Sequence, residues 1–137
     1  MAKTETFLRF GKETESLYTV LNDRAFAGKL SNIQLFMLAC SFGFGAGRRV
    51  TEFQRANNGP RTTIREEHLA FLNCVQVSVS GDADVLVDPA ERDRLAEEFV
   101  EGGIRLLHEK LTDPTIPSFV NWLISEMTGA LAGASES

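Results

Sequence analysis

The chain has 137 residues, 43% hydrophobic and 24% charged, with a net charge of -5 at neutral pH and a pI near 5.0. That length suits one domain, and the composition is that of a globular protein rather than a disordered, collagen-like or disulfide-stapled one. The acidic balance excludes a protein that coats nucleic acid or anionic membrane with its whole surface, so any such contact is local.

The first residues, Met1 to Thr6, alternate charged and hydroxyl side chains without the apolar core of a signal peptide. No stretch reaches the ~18 apolar residues of a membrane span. The expectation is therefore a cytoplasmic protein with no membrane partner. Leu17, Val20 and Leu21 recur at helical spacing among Glu13, Glu15 and Asp23, which predicts a short amphipathic helix over 12–23. Phe7, Leu8 and Phe10 are expected to pack in front of it.

Ser31 predicts the N-cap of a second helix. Its residues Ile33, Leu35, Phe36, Leu38, Cys40 and Phe42 leave almost no polar face, so it should form the centre of the core. The alternating glycines at 43, 45 and 47 end it, since each lowers helix propensity by up to ~1 kcal/mol relative to alanine. From Arg48 to Thr62 the apolar periodicity stops, and Asn57-Asn58-Gly59-Pro60 is a turn signal, giving a connector.

Thr63 followed three residues later by Glu66 has the pattern of a capping box for a third helix carrying Leu69, Leu72, Val75, Gln76 and Val79. The β-branched Val75, Val77 and Val79 leave a short strand open as an alternative for its end. Asp88-Pro89 opens a fourth helix, because aspartate caps free amides and proline costs no hydrogen bond at the first position. Leu95, Phe99, Leu106 and Leu107 mark its buried stripe, and Gly102-Gly103 within that stripe predicts close backbone packing or a kink. Phe119, Val120, Leu123, Ile124 and Met127 give a fifth helix, with 132–137 as a frayed tail.

With no internal repeat and no long linker, the fold class is all-α, a compact single-domain bundle of about five helices over 1–137, with flexible ends at 1–10 and 132–137. The two cysteines, Cys40 and Cys74, lie in apolar runs and are expected to be reduced and buried.

No motif for catalysis, cofactor or metal emerges. His68 and His108 lack a ligand partner one helical turn away, and neighbours such as Glu66, Glu67 and His68 point about 100° apart on a helix. There is no Gly-x-Ser-x-Gly elbow, and the glycines at 43, 45 and 47 lack the lysine of a phosphate-binding loop. The expectation is no enzyme, no cofactor and no metal.

Charge is unevenly placed. Residues 48–65 hold five arginines, Arg48, Arg49, Arg55, Arg61 and Arg65, against one glutamate, a net +4, while residues 82–101 hold eight acids against two arginines, a net -6. Arginine offers a planar fork that bonds carboxylate or phosphate at two points. These five side chains are the candidate binding residues, with three competing destinations: the chain's own acidic helix on a solvated surface, a partner protein's acids, or nucleic-acid phosphate.

The order of an apolar helix ending in glycines, a basic connector, a second apolar helix and an acidic helix carrying Glu98-Phe99-Val100-Glu101-Gly102-Gly103-Ile104 resembles small accessory proteins encoded beside DNA phosphorothioation modification and restriction genes. The likeness spans about residues 30 to 125. It implies a cytoplasmic helper in phage defence, working with larger modification or restriction subunits, and carries no catalytic residue across. The expected function is a non-enzymatic adaptor that contacts larger subunits, and DNA phosphate as a further candidate, through the arginine connector. The alternatives are a free-standing helical DNA-binding regulator, dimeric through the second or fifth helix, and a small metal-dependent hydrolase or nuclease.

Overall fold

The structure, a computed structural model, describes residues 8–57, 59, 65–82, 84 and 88–136, with side chains of the last helix described through Gly129. Five helices follow in order: α1 (Glu15–Phe26), α2 (Asn32–Gly45), α3 (Glu66–Ser80), α4 (Pro89–Leu111) and α5 (Phe119–Glu136). The all-α, five-helix expectation holds. Among the described residues the sole extended pairing is an isolated antiparallel bridge between Gly11 and Arg55, and no helix is long and apolar enough to cross a membrane.

α1 starts three residues later than its periodicity predicts, because the residues before it are committed elsewhere. Lys12 N–H donates to Gln54 O at 2.7 Å and Phe10 O accepts from Ala56 N–H at 2.8 Å, which ties 10–12 to 54–56. Thr14, at the N-cap, makes no capping bond with its side chain. Its hydroxyl donates instead to the Glu101 carboxylate at 2.8 and 2.9 Å. Leu8 and Phe10 are fully buried as expected, whereas Phe7 lies outside the described residues.

Ser31 caps α2 with a full capping box: its hydroxyl accepts from Gln34 N–H at 3.4 Å, and Ser31 N–H donates to Gln34 Oε1 at 2.9 Å. The helix ends at Gly45, and Gly47 turns the chain with φ +66°, a conformation open to glycine without steric cost. The capping box expected at Thr63 and Glu66 is not the start of α3. Thr63 lies outside the described residues and Glu66 is the first helical residue, following Arg65, whose N–H donates to His68 Nδ1 at 3.0 Å. The valine-rich end of α3 stays helical to Ser80, where Gly81 closes it with φ +75°.

Asp88 caps α4 by accepting from Glu91 N–H at 3.2 Å, with Pro89 in the first turn. Here the expected centre of the core needs correction. α2 shares that place with α4, which packs on α1, α2 and α3. Gly103 of the glycine pair, facing Gly43, makes this approach close rather than kinked. A Cβ on Gly103 would stand 1.7 Å from Ala39 O, and one on Gly43 1.9 Å from Phe99 O, so the two backbones touch where Ala39 and Gly43 meet Phe99 and Gly103. Around this contact lie Phe36, Val100, Ile104 and Leu107, each at most 1% exposed. At the far end the helical backbone continues to Glu136 instead of fraying at Ala132.

Candidate functional site

The connector is a strap laid across α4. It leaves α2 as Arg48 N–H donates back to Gly43 O at 2.8 Å, and the carbonyl of Arg48 then rests on Gly102, where a Cβ would stand 2.2 Å away. Val50 N–H donates to Glu98 O at 3.1 Å. Further on, Gln54 to Ala56 pair with Phe10 to Lys12, and Gly59 abuts the backbone of Leu8 and Arg9. Gly102 is thus explained by the strap as Gly103 is by α2.

Three of the five candidate arginines turn toward α4. Arg48 Nη1 meets Glu109 at 3.0 Å, with both side chains about half exposed. Arg49 Nε donates to Glu98 Oε1 at 2.7 Å, and Glu98 also accepts from Arg94 Nη1 at 2.7 Å. Arg55 Nε donates to Glu97 Oε1 at 2.7 Å, while Arg9 N–H donates to the other oxygen at 2.7 Å. The Arg55 guanidinium lies 4.5 Å from the Phe53 ring centroid and that of Arg49 6.0 Å from Phe99. Arg65 stands apart at the start of α3, exposed and without an ion pair among the described residues. Arg61 lies outside the described residues.

The acids that receive Arg49 and Arg55, unlike the exposed Glu109 that receives Arg48, are not the solvated surface that the charge totals suggest, and Glu101 one turn further on is buried with them. Glu97, Glu98 and Glu101 are 6%, 1% and 1% exposed. Glu101 accepts from Thr14 and from Arg105 at 3.2 Å, and its carboxylate fills the space beside Gly11. Burial of Glu97 outweighs its bonds to Arg55 and the Arg9 amide and raises its carboxyl above the ordinary range. Burial likewise raises Asp93 despite Arg92 beside it. At the surface the order reverses, and the hydrogen bond from Arg94 lowers Glu91.

Charge counting by segment misses this row, but helical spacing carries a signal for it. Glu98 is three residues after Leu95 and four before Gly102, on the apolar stripe itself. Arg94 and Arg105 stand four residues from Glu98 and Glu101, a spacing that places them on the same helix face, whereas Thr14, 87 residues from Glu101, has no comparable signature in the sequence. The cysteines also divide: Cys40 is buried, its thiol pushed up to about 12 by desolvation, whereas Cys74 is exposed on α3, contrary to expectation.

The buried carboxylates are met by guanidinium, hydroxyl and amide donors rather than by an open cleft, an arrangement that fixes the strap in place. Among the described residues no three His, Cys, Asp or Glu side chains converge for a metal ion. Comparison with protein-family models, curated proteins and solved structures finds no match.

Proposed function

We propose that this chain is a non-enzymatic, cytoplasmic accessory protein of a DNA modification-restriction or anti-phage defence assembly, and that the strap is its contact surface for a larger subunit or for DNA phosphate. The supporting observation is how Arg49 and Arg55 bind their glutamates. Among the described residues each makes its hydrogen bond through Nε alone, at 2.7 Å, and the two side chains remain 32% and 25% exposed respectively. A guanidinium has five donors, so the terminal amino groups of both are left over, and the buried glutamate orients the fork instead of consuming it. A fork held in advance loses less entropy on meeting a partner's carboxylate or phosphate.

The geometry also separates residues that the sequence treats alike. Reversing Arg48 and Arg49 together would confound binding with folding, because Glu98 is buried and a second carboxylate at 49 would face it. Arg48 is bound only to exposed Glu109, a pair worth about 0–1 kcal/mol. Arg48→Glu is therefore the test. The tagged chain should co-purify with modification or restriction subunits or be retained on duplex DNA, and Arg48→Glu should cut that at least about fivefold with an unchanged melting curve. If the contact is phosphate, retention falls with salt at a log-log slope of about -0.9 per phosphate. If the tagged chain brings down no such subunit and is not retained on DNA, the proposal is overturned.

A further inference from the structure

Among the described residues, α5 is bound to the body only by its beginning. Phe119 and Leu123 are buried and Trp122 is half-buried against Phe42 and Phe119, at ring-centroid distances of 5.8 and 5.7 Å. Every residue from Ile124 to Gly129 is exposed. Val79, Val120, Ile124 and Met127 are the exposed large apolar side chains among the described residues, and the last three form one stripe at spacings of four and three along α5. Met127 continues that stripe into a groove of about 510 Å³ lined by Phe42, Gly45, Leu106, Lys110, Trp122 and Glu126.

We propose that the groove and the outward stripe of α5 together form the interface of a two-fold symmetric dimer, in which each copy's α5 lies against the groove of the other. The charges in the groove favour a second copy. Lys110 and Glu126, of opposite charge, both line it, and neither has an ion pair among the described residues. Lys110 instead rests over the Trp122 ring, 5.9 Å from its centroid. A two-fold axis brings Glu126 of each copy to Lys110 of the other, two equivalent pairs closing one interface. A lipid surface fits poorly, because residues 119–137 contain no lysine or arginine to meet anionic headgroups. The contact is independent of the strap, so it stands or falls apart from the proposed function.

Sedimentation equilibrium on the full chain, from about 1 to about 200 µM, reads the answer. The expected mass at the upper end is twice 15.1 kDa. Ile124→Glu, at a site 56% exposed, should hold the mass at 15.1 kDa throughout with unchanged far-ultraviolet circular dichroism. Lys110→Glu and Glu126→Lys should each raise the dissociation constant about tenfold, and the double exchange should restore it to within about threefold. Because the charge exchange alters two rim residues only, it decides the matter even if Ile124→Glu disturbs α5. A monomer at every concentration, which would leave the groove to an unlike partner, overturns the proposal. So does an assembly larger than a dimer, or a double exchange that fails to restore association.

Discussion

Glu97 shows how one residue sets the electrostatics of the strap. Two donors meet its carboxylate at 2.7 Å, yet burial raises its carboxyl above the ordinary 4.5. A raised value means the folded chain holds the proton more tightly than the unfolded one. Between the two values unfolding releases a proton, so this group's contribution to stability is full below 4.5 and is lost as pH rises through the folded value. That slope opposes the one expected from paired surface acids such as Glu91. Glu97→Gln removes the titration but turns an amide nitrogen toward one of the two donors, at a cost of about 1–3 kcal/mol. Urea unfolding at a series of pH values should give a variant that is less stable below 4.5 and whose deficit shrinks as pH rises. Parallel curves would show that Glu97 is ionised alike in both states.

Among the elements, the pairing of α2 with α4 carries the fold, and two glycines set its distance. Gly103→Ala places a methyl group 1.7 Å from a backbone carbonyl that no rotamer change can move, so the helices must separate along their buried faces. The expected loss is about 3 kcal/mol or more, the scale of an overpacked core. Gly45→Ala meets nothing within 4 Å and should stay within about 0.5 kcal/mol of the parent. Equal effects in urea titrations would remove the close-approach account. This element was legible beforehand, since a glycine pair inside an apolar stripe has few uses besides close packing. The start of α1 was not, because Thr14 forgoes its cap for Glu101, 87 residues away, and local spacing does not reach that far. Thr63 of the capping pattern lies outside the described residues, and α3 opens at Glu66, where the Arg65 N–H donates to the His68 ring, a bond that residue type alone does not foretell.

Across the whole molecule, charge was legible as segments but not as depth. The +4 connector and the -6 acidic stretch meet through the contacts of Arg49 and Arg55 with α4, yet Glu97, Glu98 and Glu101 sit inside rather than on a solvated face. Segment totals average over the helix and lose the periodicity that separates buried Glu98 from exposed Glu91. What the candidate site required beyond sequence was the direction of each guanidinium, which depends on the strap's backbone bonds to Glu98 and to Phe10.

The same arrangement predicts a gradient of local stability. α4 is enclosed by α1, α2, α3 and the strap, so its amides from Leu95 to Leu107 should open only when the whole chain unfolds. Among the described residues α5 has no such enclosure past Leu123, and its intrinsic propensity is poor for holding a helix alone: Thr128, Gly129 and Gly133 fall in its second half. Native-state hydrogen exchange in dilute solution should therefore rank α4 slowest and residues 124–129 fastest, with α2 following α4 because their backbones touch. Raising the protein concentration should slow exchange at 124–129 while leaving α4 limited by global unfolding, because association covers the free stripe without adding to the enclosed core. Exchange in the second half of α5 as slow as in α4 in dilute solution would mean that the helix is held by the body itself, and the gradient would then not exist.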